Sequence, residues 1–430
     1  MNTTPILFVQ ALETATSVCL ESLLLDKTDI TLVRDLWGRI RILLPANIGT
    51  FAPHDEELAS QLTDRLGSYG YPAEQMILFA SELLPDSISL TEDRRLIQKK
   101  KDHSLWLLDR QIIGQDWDKG PIERTTRTNR VTFFGIKGGV GRSTALTIWA
   151  WHLANQGKRV LIFDFDLESP GISSTLLPQK HLPDFGIVDW FVEDAVGQAQ
   201  WIENEMVSTS PLSHGLTGKI RIVPAYGTKT GDYLPKLNRC YFDFSATGAC
   251  PWGDRVEHLV QHLEEQENPE VIFLDSRAGL HDIAAHLITR MGALTLLFAI
   301  DSAQTWSAYS LLFQHWKGHS QLGAFREKLQ IVAGMIPETG RAAYMKRFRE
   351  HAWDLFRDNL YEVEEDVNRG AFNFDLKADD APHSPLLVFW HRALQEFDPT
   401  NPEFGLDEQT ASEALGLFMK QANNLVFLND

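Results

Sequence analysis

Cysteine is scarce in this chain: Cys19, Cys240 and Cys250 are its three cysteines in 430 residues. The number is odd and no CxxC spacing occurs, so neither a disulfide framework nor a zinc site is indicated. A reducing, cytoplasmic compartment is the simplest expectation. Long apolar runs are missing too. The stretch 293–300 (ALTLLFAI) is less than half of the ~20 residues a spanning helix needs, so no membrane insertion is expected. The opening MNTTPILFVQ has no basic residue ahead of its apolar part, and Gln10, Glu13 and Glu21 break the apolar character early. That argues against a secretory signal. Positive charge is in deficit, with 40 bases against 58 acids and a formal net charge of −18. A mainly electrostatic grip on DNA phosphates or on anionic lipid is therefore not expected.

What is present describes a packed protein. Apolar residues make up 43% and charged residues 23%, which excludes a disordered chain. The length suits two or three domains. Residues 1–108 read as a small α/β docking or regulatory domain. Within it, 39–45 (RIRILLP) has the pattern of a strand, and 55–66 places Leu58, Leu62 and Leu66 on one helical face. The run 76–84 (MILFASELL) fits strand or helix. Residues 109–130 are polar and broken by Gly114, Gly120 and Pro121, so they read as a linker. Trp117 either pins this linker to one domain or simply packs. From Val131 to the end a second domain begins. Apolar runs at 131–136, 159–166, 219–225, 271–276, 293–300 and 328–336 alternate with helical patterns. Strands apolar on both faces and separated by helices predict an α/β fold, a mostly parallel sheet with helices on both faces.

The first of these strands runs into KGGVGRST, residues 137–144, and then into a helix. Glycine is needed where a backbone wraps a phosphate without a Cβ in the way. Gly138, Gly139 and Gly141 meet that need, and the N–H groups of the loop and helix start face the anion. Ser143 can offer its hydroxyl to Mg²⁺. The common GxxxxGK[ST] spacing is not met, because Ile136 sits where its first glycine belongs and Arg142 replaces its lysine. Two further segments point the same way. Asp164 and Asp166, in IFDFDLESPG, fall on one face at the carboxyl end of the second strand. Ligands of parallel α/β sheets bind outside that end. Asp275 ends the strand of VIFLDSRAG, and an acid there can hold Mg²⁺ through water.

Together these segments resemble the deviant Walker A ATPases of the chromosome-partition and division-site-selection family, a branch of the P-loop NTPases. The resemblance covers roughly 130–340. It implies that Lys137, Gly138, Gly139, Val140, Gly141, Arg142, Ser143 and Thr144 hold the triphosphate of ATP. It further implies that Ser143 ligates Mg²⁺, that Asp275 is the Walker B acid and that Asp164 supports the metal shell. Asp166 would position the attacking water, and Lys137 would reach across an ATP-dependent homodimer to the partner's nucleotide. Three positions depart from the family. Arg142 replaces a lysine that contacts the β- and γ-phosphates; it keeps the charge but presents a planar fork. Arg277 stands where the family has proline, and it either contacts phosphate or lies on the loop surface. GMIPETG (334–340) lacks the asparagine that often reads adenine.

The family's outputs differ, and the composition discriminates among them. Between residues 371 and 430 ten acids face three bases (Lys377, Arg392 and Lys420), a poor DNA surface. The best basic run, Lys99–Lys101 preceded by Arg94 and Arg95, reads as a solvated face. The helical pattern 411–428 has Lys420 as its one base. It lacks the basic face that anionic lipid demands and is expected to pack on the ATPase domain. No Tyr comes after Tyr361, which argues against an autokinase of the bacterial tyrosine-kinase type. Insertions at 177–218 and 229–251 carry aromatics that either bind a protein or cover the sheet edge. The reading is a slow hydrolase of ATP that dimerises on ATP and switches engagement with an unidentified protein partner. The alternative is a nucleotide-held scaffold subunit with little turnover; a DNA-partition ATPase ranks third.

Overall fold

The computed structural model describes residues 6–83, 94–110, 115–124, 128–245, 248–317, 321–362, 371–395, 397–399 and 406–427. Residues 111–114 and 125–127 of the expected linker lie outside them, as do the C-terminal acids Glu396, Glu403 and Asp430. The chain divides into two compact units, Met1–Gln115 and Asp116–Asp430.

Among the described residues the first unit is a five-stranded mixed sheet with two α-helices. Its elements are α1 (Phe8–Glu21), β1 (Ile30–Arg34), β2 (Ile40–Leu44), α2 (His54–Leu66), β3 (Ile77–Phe79), β4 (Arg95–Lys100) and β5 (His103–Asp109). The order is β3-β2-β1-β5-β4, with β1 antiparallel to β2 and parallel to β5. Leu58, Leu62 and Leu66 of α2 are buried with Val18 and Cys19 of α1 against Leu32, Ile42 and Leu105 of the sheet. The ambiguous run at 76–84 resolves into the short β3 and a 3₁₀ turn. A smaller cluster, Val33, Leu43 and Leu108 with Leu78 and Leu83 packed against it, is formed by other residues of this unit.

The second unit holds the sheet that the apolar runs predict. Its strands are β6 (Asn129–Gly135), β7 (Arg159–Asp164), β8 (Ser208–Thr209), β9 (Lys219–Val223), β10 (Val271–Asp275), β11 (Leu294–Ala299), β12 (Leu329–Ile336) and β13 (Leu386–Phe389). Their order is β13-β12-β11-β6-β10-β7-β9-β8. All neighbours are parallel except the short edge strand β8. Alternation along β6 shows why both faces need cover: Val131 and Phe133 enter one core cluster and Phe134 the other. The first face is covered by α3 (Arg142–Asn155) and α11 (Glu408–Phe427). The second is covered by α5 (Ile187–Asp194), α7 (Trp252–Glu267), α8 (Asp282–Thr289), α9 (Ala303–Trp316) and α10 (Arg341–Asn359). A short helix, α4 (Ile172–Leu176), comes after β7. P-loop NTPases have this fold.

The C-terminal helix packs where its apolar stripe directs. Ala414, Leu415, Phe418 and Ala422 are buried, and Trp149 of α3 donates its indole N–H to Asn423 at 2.8 Å. Each large apolar side chain so buried stabilises by about 1.5–3 kcal/mol. Among the described residues no helix is long and apolar enough to cross a membrane. Trp117 is buried beside Trp316, whose indole N–H donates to its carbonyl at 3.1 Å.

Candidate functional site

β6 ends at Gly135, and the chain turns through residues 136–141 before α3 begins at Arg142. Gly139 and Gly141 have φ of 73° and 82°, a region that side chains with a Cβ enter at a cost of about 1–2 kcal/mol. Gly141 is also the N-cap of α3, so its left-handed turn aims the free N–H groups of the first helical turn into the loop. Lys137, Gly138 and Gly139 are exposed and Val140 is buried. A cleft of about 380 Å³ opens along this loop. It is lined by Lys137 to Thr144 together with Asp166, Ser169, Arg277 and Ala278. Thus the loop, Ser143, Thr144 and Asp166 meet around one space.

Sheet register brings the acids to that space. β10 pairs with β7 so that Asp275 lies beside Asp164, and with β6 so that it lies beside Phe133. The three acids nevertheless differ in their surroundings. Asp164 is saturated. Its Oδ2 accepts from the Ser173 amide at 2.7 Å and the Ser173 hydroxyl at 2.5 Å, and its Oδ1 accepts from the Asp166 amide at 3.2 Å. It fastens the 164–173 loop from behind. Asp275 is 1% exposed, and neither of its oxygens has a hydrogen-bond donor among the described residues. Asp166 Oδ1 is likewise buried and unpartnered. Burial raises the pKa of all three carboxyls, most plainly Asp275, where Asp164 and Asp166 push further the same way and Arg142 opposes. Buried carboxylate oxygens without donors are costly and call for a cation.

Arg142 supplies that charge. Its Nε lies 3.1 Å from Asp275 Oδ1, and its Nη2 lies 3.5 Å from Asp166 Oδ2. The family resemblance implies a triphosphate contact for this side chain; in this structure it lies between two acids. Removing one member of a buried ion pair typically costs about 3–5 kcal/mol. Arg142→Ala should therefore melt several degrees lower than wild type at pH 8. The gap should narrow toward pH 6, because the folded-state pKa of Asp275 is raised and protonation relieves the uncompensated charge. Melting curves at both pH values decide this, and superimposable curves would refute it.

The structure also adds residues that spacing could not reveal. Glu168 Oε1 accepts from the Tyr241 hydroxyl at 2.6 Å, pairs with Arg277 Nη1 at 3.1 Å and lies 3.4 Å from His281 Nε2. Tyr233 donates its hydroxyl to the carbonyl of Leu167. Both tyrosines belong to the 229–251 insertion, around α6 (Tyr233–Cys240). Its aromatics therefore hold the loop that bears Asp166, although Phe242 remains 56% exposed. Glu168 lies two residues beyond Asp166, which is the one hint the sequence offered; nothing linked it to Tyr241.

The donor set suits Mg²⁺. Among the described residues no three acids, histidines or cysteines converge tightly enough to cage a metal. Mg²⁺ does not ask for that, since it keeps several waters and binds through one or two protein oxygens plus substrate phosphates. Asp275 with its open oxygens and Ser143 at the cleft wall fit such a shell.

Residues 131–342 match the family model described as the CobQ/CobB/MinD/ParA nucleotide binding domain. This segment, just under half of the chain, is thus similar to the nucleotide-binding domains that the model describes. No curated protein matches the chain. Among solved structures, pNOB8 ParA bound to nonspecific DNA is 15% identical, with a TM-score of 0.43, over 69% of this chain and 99% of its own. A ParA family ATPase from Chlorobium tepidum is 13% identical, with a TM-score of 0.39, over 69% and 93%. A Cyanothece McdA variant in complex with ATP is 15% identical, with a TM-score of 0.35, over 53% and 80%.

Proposed function

We propose that this protein is a deviant Walker A ATPase that binds Mg²⁺·ATP in the cleft, hydrolyses it slowly and uses an ATP-dependent homodimer to time its engagement with a protein partner. The observation that carries the reading is Asp275, a buried carboxylate with no hydrogen-bond donor among the described residues, which strand register sets at the carboxyl edge of the sheet beside the glycine loop, with Asp166 lining the cleft at that loop. Residues 138–144 would surround the phosphates with backbone N–H groups, and Ser143 and Asp275 would hold Mg²⁺. When bound, Mg²⁺ neutralises charge on the phosphate oxygens. Asp164 would keep Asp166 in register, and Asp166 would orient the attacking water and hold its proton. Arg142 would leave the acids for the phosphates as the cation enters.

A protein partner is favoured over DNA for physical reasons. The basic run at 94–101 serves its own unit: Arg94 lies over the Trp106 ring at 4.5 Å, and Lys100 pairs with Asp26 at 3.4 Å. On α10, Arg347 pairs with Asp301 at 3.3 Å and Arg349 with Asp379 at 2.9 Å. Such bases are partly neutralised as phosphate contacts. One observation favours the scaffold alternative. Arg142 already offsets the charge of the acids, so a nucleotide could be held with little dependence on Mg²⁺ and little turnover.

Nucleotide titration with and without Mg²⁺ separates the two. Wild type should bind ATP at least about tenfold more tightly with Mg²⁺, and Asp275→Ala should lose that gain while keeping its metal-free affinity. An unchanged Mg²⁺ effect in the variant removes Asp275 from the site. A wild type indifferent to Mg²⁺ selects the scaffold, and a wild type that binds no nucleotide refutes both.

A further inference from the structure

Arg277 comes after β10 and Ser276 at the carboxyl edge of the sheet and lines the same cleft as the glycine loop. Its side chain is 36% exposed. It is held by one nitrogen: Nη1 pairs with Glu168, while Nε and Nη2 have no acidic partner among the described residues. Glu168 is itself fixed, because Tyr241 donates to the same oxygen and the other oxygen is buried. An arginine gripped this way is immobilised at one end of its fork and keeps its remaining donors for another anion. Arg277 and Asp166 line the same cleft, and the guanidinium charge opposes the rise in that carboxyl's pKa. Arg277 therefore shares one cleft with Asp166 and with the helix start that would bind the inner phosphates.

We propose that Arg277 recognises the terminal phosphate of a nucleoside triphosphate, with Glu168 as its positioning residue. The inference rests on the nucleotide-binding reading above. Arg277 then separates ATP from ADP: the free guanidinium donors meet the third phosphate and find nothing in the diphosphate. Because Tyr241 belongs to the 229–251 insertion, the grip on Arg277 originates outside the glycine loop and the strand ends. The insertion thus sets how well the cleft reads its nucleotide.

The test is calorimetric titration with ATP, a non-hydrolysable ATP analogue and ADP. Arg277→Ala should lose about tenfold or more in affinity for both triphosphates, and less than about twofold for ADP. Arg277→Lys should fall between, and it carries the same comparison if the alanine variant fails to fold. Glu168→Ala should reproduce the triphosphate-selective loss. Glu168→Gln, which keeps the acceptor oxygen for Tyr241 and Arg277, should restore most of it. Equal losses for ATP and ADP, or none, overturn the role of Arg277. Equal behaviour of the two Glu168 variants overturns the positioning role. A wild type that binds neither nucleotide overturns the nucleotide reading itself, and this inference with it.

Discussion

Asp166→Ala is expected to bind ATP within about threefold of wild type while losing about 100-fold or more in hydrolysis. The asymmetry comes from what the side chain touches. Asp166 lines the cleft and has one buried oxygen free of any donor among the described residues. Its pKa is raised by burial, with Arg142 the main opposing charge. Once Arg142 moves to the phosphates, that opposition weakens and the carboxylate becomes a better acceptor for a proton from water. Ground-state binding draws instead on the loop N–H groups, which the substitution leaves in place. Phosphate release in a single turnover, measured beside equilibrium affinity, gives the split. A variant that turns over normally would take Asp166 out of the chemistry. A wild type that never hydrolyses, with partners present, would leave the scaffold reading standing. Loss of binding and hydrolysis together would place Asp166 in the binding shell.

The sequence carried the second unit further than the first, for physical reasons. β6, β7, β10, β11 and β12 are buried on both faces, so each appears as a continuous apolar run bounded by polar loops. β1 did not stand out, because Thr31 and Arg34 interrupt its five residues. β8 has two residues, and β13 is a four-residue strand at the sheet edge. The glycine loop was legible because Gly139 and Gly141 need positive φ and because a helix start must come next. The direction of the Arg142 side chain was not legible. It depends on two carboxylates that come near only through the pairing of β10 with β7 and β6. Asp164 shows the same limit. Its spacing from Asp166 put both on one face, but only Ser173, from α4, decides that Asp164 is used as an anchor. The insertion aromatics were open between partner binding and cover. Tyr233 and Tyr241 turn inward onto the Asp166 loop, and Phe242 alone of these three points to solvent.

Lys137→Ala is expected to keep ATP affinity within about threefold of wild type yet lose both ATP-induced dimers and turnover. Lys137 is exposed at the front of the loop and has no ion-pair partner among the described residues. The acids that could attract it are taken: Asp275 and Asp166 pair with Arg142, and Glu168 pairs with Arg277. An unpaired ammonium at the rim contributes little within one subunit, because water screens it. Across a dry dimer interface the same charge meets a partner's triphosphate in lower dielectric, and the bond strengthens accordingly. Dimerisation should then require the γ-phosphate and be absent with ADP. Sedimentation of wild type and variant with ADP, ATP and a non-hydrolysable analogue reads this directly. Constitutive dimers indifferent to nucleotide would refute the trans role, and so would a variant that still dimerises only with ATP. In either case Lys137 would act within its own loop, and the link between nucleotide state and partner engagement would have to run through the Arg277–Glu168–Tyr241 contact instead.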